Sequence, residues 1–414
     1  MNMTLVKAAS WLTPKRLRAH GRLLAIGLWS VYLWNMATPG VPDRAGNLKG
    51  TDFLHFYTLG SLALAHRGTD LYNMRAQSEL AAQRVPAAAG IRYLPLYPPQ
   101  VSILFAPFAR LSYPWALICW LLLSSLIYGL CVYALWRACP NLLKYRFTVL
   151  ILAVAFPAFW HLIAWGQTSA LALACFTLAF FALRTQREFL AGLALGCLIF
   201  KPQLGIAAAV IFVDVRRWRV IAGALLSASV QLAAAWIYYG PDSLGMWIQT
   251  LSRLPSLLPL LEPKPYQTHC LRTFWTMLLP WPHLALALYI VTALLVLALA
   301  ARCWRSRLSL PMRYSAVLLA TVLVAPHLTV YDLVIVAPAF LLLSNWIASQ
   351  PDDSTAPQLK LLLYLAYALP LLGPLARWTH LQLSVPVMLF ILLVLTQLGE
   401  RSGEKRSVEN IPAV

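Results

Sequence analysis

The chain has 414 residues, 60% of them hydrophobic and only 11% charged, with a mean hydropathy of +0.68. Soluble domains carry roughly 25% charged residues, so a chain this apolar cannot keep its surface wet, and lipid is its solvent. The net charge of +19 invites a nucleic-acid reading, but the basic residues lie in short loops between apolar runs rather than on one patch, which excludes it. The seven cysteines show no ligand spacing, which argues against a zinc site or a disulfide framework.

From the N-terminus, Lys7, Lys15, Arg16, Arg18 and Arg22 precede a long apolar run without a small-residue cleavage site. That pattern predicts a first anchor rather than a cleavable leader. Apolar runs then predict crossings near 23–40, 114–136, 147–164, 168–183, 220–239, 282–301, 314–330, 332–348, 359–375 and 381–398. A further segment, 189–213, is apolar but broken at Lys201-Pro202. The proline removes a backbone donor and the lysine puts a charge at bilayer depth, so both need protein or a polar cavity around them. Basic residues flank both sides of this segment: Arg184 and Arg187 before it, Arg216, Arg217 and Arg219 after it. If both flanks are cytoplasmic, the segment enters and returns as two half-helices. Most of the 33 Lys and Arg then fall inside, as the positive-inside rule requires, with both termini cytoplasmic.

The fold class expected is therefore an all-α polytopic membrane protein. It forms one bundle of about 10–12 transmembrane helices over 1–398, including the broken hairpin at 189–213. Two long outer loops, 41–113 and 240–281, interrupt it, and long loops in compact proteins are usually functional. The first loop holds a helical-looking 53–66 and an apolar 100–109, too short to span and expected in the interface. Residues 399–414 read as a disordered, polar cytoplasmic tail.

The polar residues at or near the outer boundary are the candidate chemistry: Asp52, His55, His161, Gln167, Lys201, Gln203, His269, Arg272, His327, Tyr331 and Asp332. Asp52 opens an amphipathic helix. It is either an N-cap, a role open to Thr51 as well, or a carboxylate base for an attacking hydroxyl. Lys201 needs an anion, and a lipid phosphate and Asp332 are the two contenders. Absent motifs narrow the field: there is no phosphate-binding GxxxxGK[ST] loop, no Asp-x-Asp dyad and no HExxH.

Several runs carry a resemblance in order and spacing. They are Asp52-Phe53 with Tyr57, Gly60 and Leu71-Tyr72; then Tyr97-Pro98-Pro99; then Gly166-Gln167; then Ala191-Gly192 through Gly196 to Lys201-Pro202-Gln203-Leu204-Gly205. Ala325-Pro326-His327 and Tyr331-Asp332-Leu333 close the series. Over about residues 20–350 the chain resembles the polyprenol-phosphate-sugar-dependent glycosyltransferases of family 87, in the GT-C superfamily. The resemblance implies a bacterial inner-membrane hexosyltransferase working on the outer face, with mannose a candidate sugar. The donor would be a polyprenyl-phosphate sugar and the acceptor a glycan or glycolipid hydroxyl. It implies an Asp in the first outer loop as base, matched by Asp52, and inversion at the anomeric carbon. Lys201, His327 and Arg272 suit the donor phosphate, with Gln167, Gln203, His55 and Tyr331 lining the substrate site. One departure stands out: many relatives carry an aromatic residue where His327 stands. No cofactor is implied, no metal site is marked although a divalent ion is compatible, and no nucleic acid is expected. The competing classes are a flippase for a lipid-linked glycan and a ligase or polymerase using a diphosphate-linked oligosaccharide.

Overall fold

A computed structural model describes residues 3–254, 256–257, 262, 264–350 and 353–409. Its described residues form helices and no strands, with two isolated bridges, Pro42 to Leu48 and Thr268 to Thr329. Six helical stretches are long and apolar enough to cross a membrane: Tyr113–Arg137, Trp218–Tyr239, Pro282–Arg305, Val330–Ser349, Ala356–Thr379 and Ser384–Arg401. A bent pair, Pro140–Val154 and Pro157–Trp165, adds a seventh with a 43° break. Pro157 lacks the amide that would continue the first helix, which accounts for the bend. Apolar side chains such as Leu122, Leu126, Leu225, Ile237, Val291 and Leu294 point outward from these helices. A bundle with apolar residues both inside and out is one solvated by lipid.

In chain order, the helices used below are α1 (Met3–Ser10), α2 (Pro14–Met36), α3 (Thr51–Leu64), α4 (Met74–Arg84) and α5 (Gln100–Ala109). Then come α6 (Tyr113–Arg137), α7 (Arg146–Val154), α8 (Pro157–Trp165), α9 (Ser169–Arg184), α10 (Glu188–Gly196), α11 (Ile206–Asp214) and α12 (Trp218–Tyr239). The remainder are α13 (Pro241–Ser252), α14 (Leu271–Leu278), α15 (Pro282–Arg305), α16 (Leu310–Val324), α17 (Ala337–Ser349), α18 (Ala356–Ala368) and α19 (Ser384–Glu409).

The first expected crossing, 23–40, falls on α2, which ends at Met36 and is not among the long apolar spans. Those expected at 168–183 and 314–330 are the shorter α9 and α16, of 16 and 15 residues. Every residue of α16 from Tyr314 to Val324 is buried, so this helix is the centre of the bundle, apolar all round because protein surrounds it. The segment 100–109, expected to be too short to span, is the ten-residue α5, and it packs against α3. A methyl at Gly60 would run into the Phe105 carbonyl, so the bare glycine lets the two backbones meet. Within the 399–414 tail, expected to be disordered, α19 instead continues to Glu409, and 410–414 lie outside the described residues.

The broken segment is a true hairpin. Gly223 of α12 meets Phe189 and Leu193 of α10, Gly192 meets Val220 and Ala224, and Gly196 meets Ala224 and Ser227. Contacts advance along both helices together, so α10 and α12 run in the same direction. Their starts are tied by an Arg217–Glu188 ion pair. With only three residues between Asp214 and Trp218, α11 must bring the chain back, leaving Lys201-Pro202 at the turn. The end where α10 and α12 start also carries Arg305–Asp214 and Arg302–Glu400 pairs, at 2.6 and 3.0 Å. The opposite end carries the hairpin tip.

Candidate active site

The hairpin tip meets three other turns, and the site is built from their first residues. At the start of α3, Gly50 takes a left-handed conformation (φ 65°) and is the N-cap, with no side chain capping the helix. Thr51 Oγ1 donates to the Leu48 carbonyl at 2.7 Å instead. Tyr113 Oη donates to the Lys49 and Gly50 carbonyls, and Tyr93 Oη to the Thr51 carbonyl, so the loop end is pinned from two sides. Asp52 therefore sits in the first turn of α3, where the helix dipole favours a carboxylate, without being used as a cap.

The half-buried Asp52 carboxylate accepts one hydrogen bond, from Gln167 Nε2 to Oδ2 at 2.5 Å. Gln167 is aimed there by Gly166, whose left-handed backbone (φ 71°) passes so close to α3 that a Cβ would lie 2.7 Å from Phe53 Cβ. Trp120 Nε1 holds the Gly166 carbonyl at 2.9 Å. Only glycine meets both demands at once. Burial pushes the Asp52 carboxyl up to about 6, although the Gln167 hydrogen bond and the charge of Lys201 pull the other way.

Lys201 at the hairpin tip is buried and donates from Nζ to Asp332 Oδ1 at 2.8 Å, Ser169 Oγ at 3.3 Å and Gln167 Oε1 at 3.5 Å. The last of these is at the limit of a hydrogen bond. The Tyr331 ring lies 5.1 Å from the ammonium. Asp332 is buried too, and takes Ser169 Oγ as a second donor on Oδ1. Its Oδ2 accepts from the amide and hydroxyl of Thr329, and the Thr329 side chain accepts from the Asp332 amide, so that the two residues form a capping box at the start of the 3-10 turn Val330–Val336. Of the two anions open to Lys201, Asp332 is the one that binds it here. One polar chain thus runs Asp52–Gln167–Lys201–Asp332, joining residues far apart in sequence.

A second cluster sits on the long loop that follows α13. Glu262 accepts from His327 Nδ1 at 2.7 Å and from Thr273 Oγ1, and forms an ion pair with Arg272, whose Nε also donates to the Pro326 carbonyl. Burial would raise the Glu262 carboxyl, but the His327 hydrogen bond and the Arg272 charge outweigh it and hold it below the usual range. His327 and Arg272 therefore come together on an internal carboxylate that sequence reasoning missed. Lys264 was missed as well. It is exposed, its Nζ lies 5.8 Å from the Trp165 ring, and its charge acts on Asp52.

The other expected residues fall differently. His55 is buried, stacked parallel on Tyr93 at 4.8 Å, with Nε2 unpartnered among the described residues; burial pulls its pKa down to about 3, so it is neutral. Gln203, in the turn Pro202–Leu204, makes no hydrogen bond among the described residues. His269 is a strut: its amide donates to the Leu328 carbonyl and Nδ1 bonds Ser384 Oγ at 2.7 Å, tying the long loop after α13 to α19. Among the described residues no group of three or more His, Cys, Asp or Glu could hold a metal.

The sequence profile of glycosyltransferase family 87 matches residues 96–330, more than half of the chain and including Gln167, Lys201, Glu262, Arg272 and His327; Asp52 lies before it. No curated protein and no solved structure matches the chain. With the helical membrane bundle and the matched profile together, the chain belongs to glycosyltransferase family 87.

Proposed function

We propose that this membrane glycosyltransferase transfers a hexose, with mannose the candidate, from a polyprenyl-phosphate carrier to an acceptor hydroxyl, with Asp52 as general base. The observation that carries the reading is the state of Asp52. Its carboxylate is free of helix capping and held through one oxygen by Gln167, and Oδ1 has no partner among the described residues. With its pKa raised to about 6 it is a stronger base than an ordinary aspartate and is still ionised at neutral pH.

In the proposed step, the acceptor O–H gives its proton to Asp52 Oδ1 while its oxygen bonds the anomeric carbon. The bond from that carbon to the phosphate oxygen breaks, and the electron pair leaves on the phosphate. Attack from the face opposite the leaving group inverts the centre. Polyprenyl phosphate leaves as a dianion, so cations near it are the main electrostatic need. Lys201, Arg272 and His327 already share carboxylates, and in this reading they contribute to the local field. Lys264, which has no carboxylate partner among the described residues, makes the direct phosphate contact. Gln167 positions Asp52, and the Lys201–Asp332 pair positions Gln167. The excess of Lys and Arg at the far end supports an outward-facing site in a bacterial inner membrane.

The test is a donor panel with purified protein in lipid nanodiscs: polyprenyl-phosphate hexoses, a polyprenyl-diphosphate oligosaccharide and a nucleotide sugar. Sugar transfer with release of polyprenyl phosphate, from the monophosphate donors only, is expected. Transfer from the diphosphate donor alone would make the protein a ligase, and donor binding without sugar release across an acceptor panel would favour a flippase.

A further inference from the structure

At the end of the bundle away from Asp52, a cavity of about 590 Å³ lies between α1, α2, α6, α7, α17 and α18. Its place follows from chain direction. Helix α17 starts just after the Asp332 turn and reaches the cavity's outer edge at Ala348, and α18 returns from there. The inner limit is marked by Phe156 and Ala337. The walls are aliphatic and aromatic, and Lys360 is the one charged residue among them. Lys360 has no hydrogen-bond or ion-pair partner among the described residues, and it sits in the first turns of α18, near the cavity's outer edge. Beside it, α1 leads into Trp11, which is 62% exposed with Arg16 stacked 4.6 Å above its ring. Such a tryptophan–arginine pair marks a membrane–water boundary. A long apolar slot with one unpaired ammonium at that boundary fits a molecule with a hydrocarbon chain and an anionic head.

We propose that this cavity binds an anionic phospholipid of the leaflet at the far end, one acyl chain inside and the phosphate on Lys360. A polyprenyl phosphate has the same chemistry, but its reacting end must meet Asp52 at the other end of the bundle, and the lining residues nearest that end are Phe156 and Ala337. The phospholipid is therefore the occupant, a choice that rests on the role proposed for Asp52, and adding polyprenyl phosphate in the test below separates a failure of that role from a failure of the lipid site.

The test uses the whole protein, delipidated in a neutral detergent, with phosphatidylglycerol or phosphatidylcholine of identical chains added back. A ligand that binds only the folded state raises the unfolding midpoint. Phosphatidylglycerol is expected to raise it by about 3 °C more than phosphatidylcholine. Lys360→Gln should erase that difference and Lys360→Arg should retain it, while Ala337→Phe, which fills the inner end, should weaken the response to both lipids. Because Ala337→Phe could fail to fold, the comparison of the two Lys360 variants decides the matter. Equal shifts from the two lipids, or a full phosphatidylglycerol preference in Lys360→Gln, would overturn the proposal. So would a Lys360-dependent shift given by polyprenyl phosphate and not by phosphatidylglycerol.

Discussion

Asp52 carries two properties that pull against each other: it is placed to accept a proton, and its burial makes its charge costly. Its pKa, about 6 in the folded chain, exceeds the unfolded value of 3.8. The stability this group contributes is therefore complete below the unfolded value and is lost as pH rises through 6. Asp52→Asn, which can keep the Gln167 hydrogen bond, should then be more stable than the wild type at pH 8, by about 1 kcal/mol once partial exposure is allowed for, with no gap below pH 4. Melting curves at both pH values check this, and wild-type transfer should fall as pH drops through 6. The Lys201–Asp332 pair behaves oppositely. Asp332→Asn strands a buried ammonium and should cost about 3–5 kcal/mol, whereas the double change Lys201→Met with Asp332→Asn should cost less than Asp332→Asn alone. Unfolding midpoints of the three proteins decide it. Asp52, Gln167, Lys201 and Asp332 were legible in the sequence because polar groups beside apolar runs stand out. Glu262 and Lys264 were not, because a charge in a proline-rich loop looks ordinary, although one of only 14 acidic residues in the chain was a signal worth weighing.

Among the elements, the hairpin of α10 and α11 does most to place the site. Its break was readable from Lys201-Pro202 and its return from the arginines on both flanks. How tightly it packs was not readable, since three glycines at 192, 196 and 223 look unremarkable among alanines and leucines. They let α10 and α12 touch backbone to backbone, the arrangement small residues permit between membrane helices. Gly192→Val would push its side chain into the Val220 carbonyl, with no flexible neighbour to yield. A loss of more than about 2 kcal/mol is expected, visible as a lowered unfolding midpoint, with Lys201 displaced and transfer reduced. Hydropathy alone makes full crossings of the short α9 and α16, because it cannot separate lipid around a helix from protein around it. For α16 the surround is protein.

Taken whole, the molecule has two unlike ends: one with the polar chain from Asp52 to Asp332, the other with arginines, paired carboxylates and the Lys360 cavity. The polarity was legible from Lys and Arg alone, while the convergence of four distant turns needed the packing around α16 to be seen. If the polar end faces outward, a cysteine replacing Arg44 should react with an impermeant thiol reagent in intact cells, and one replacing Arg219 should not; the reverse pattern would invert the orientation. Whether Asp52 takes the acceptor's proton is decided by single-turnover sugar transfer from a polyprenyl-phosphate donor at pH 7.5, wild type against Asp52→Asn. A loss of about 10²-fold or more in the transfer step is expected, with donor binding unchanged. Transfer at the wild-type rate in Asp52→Asn would contradict it.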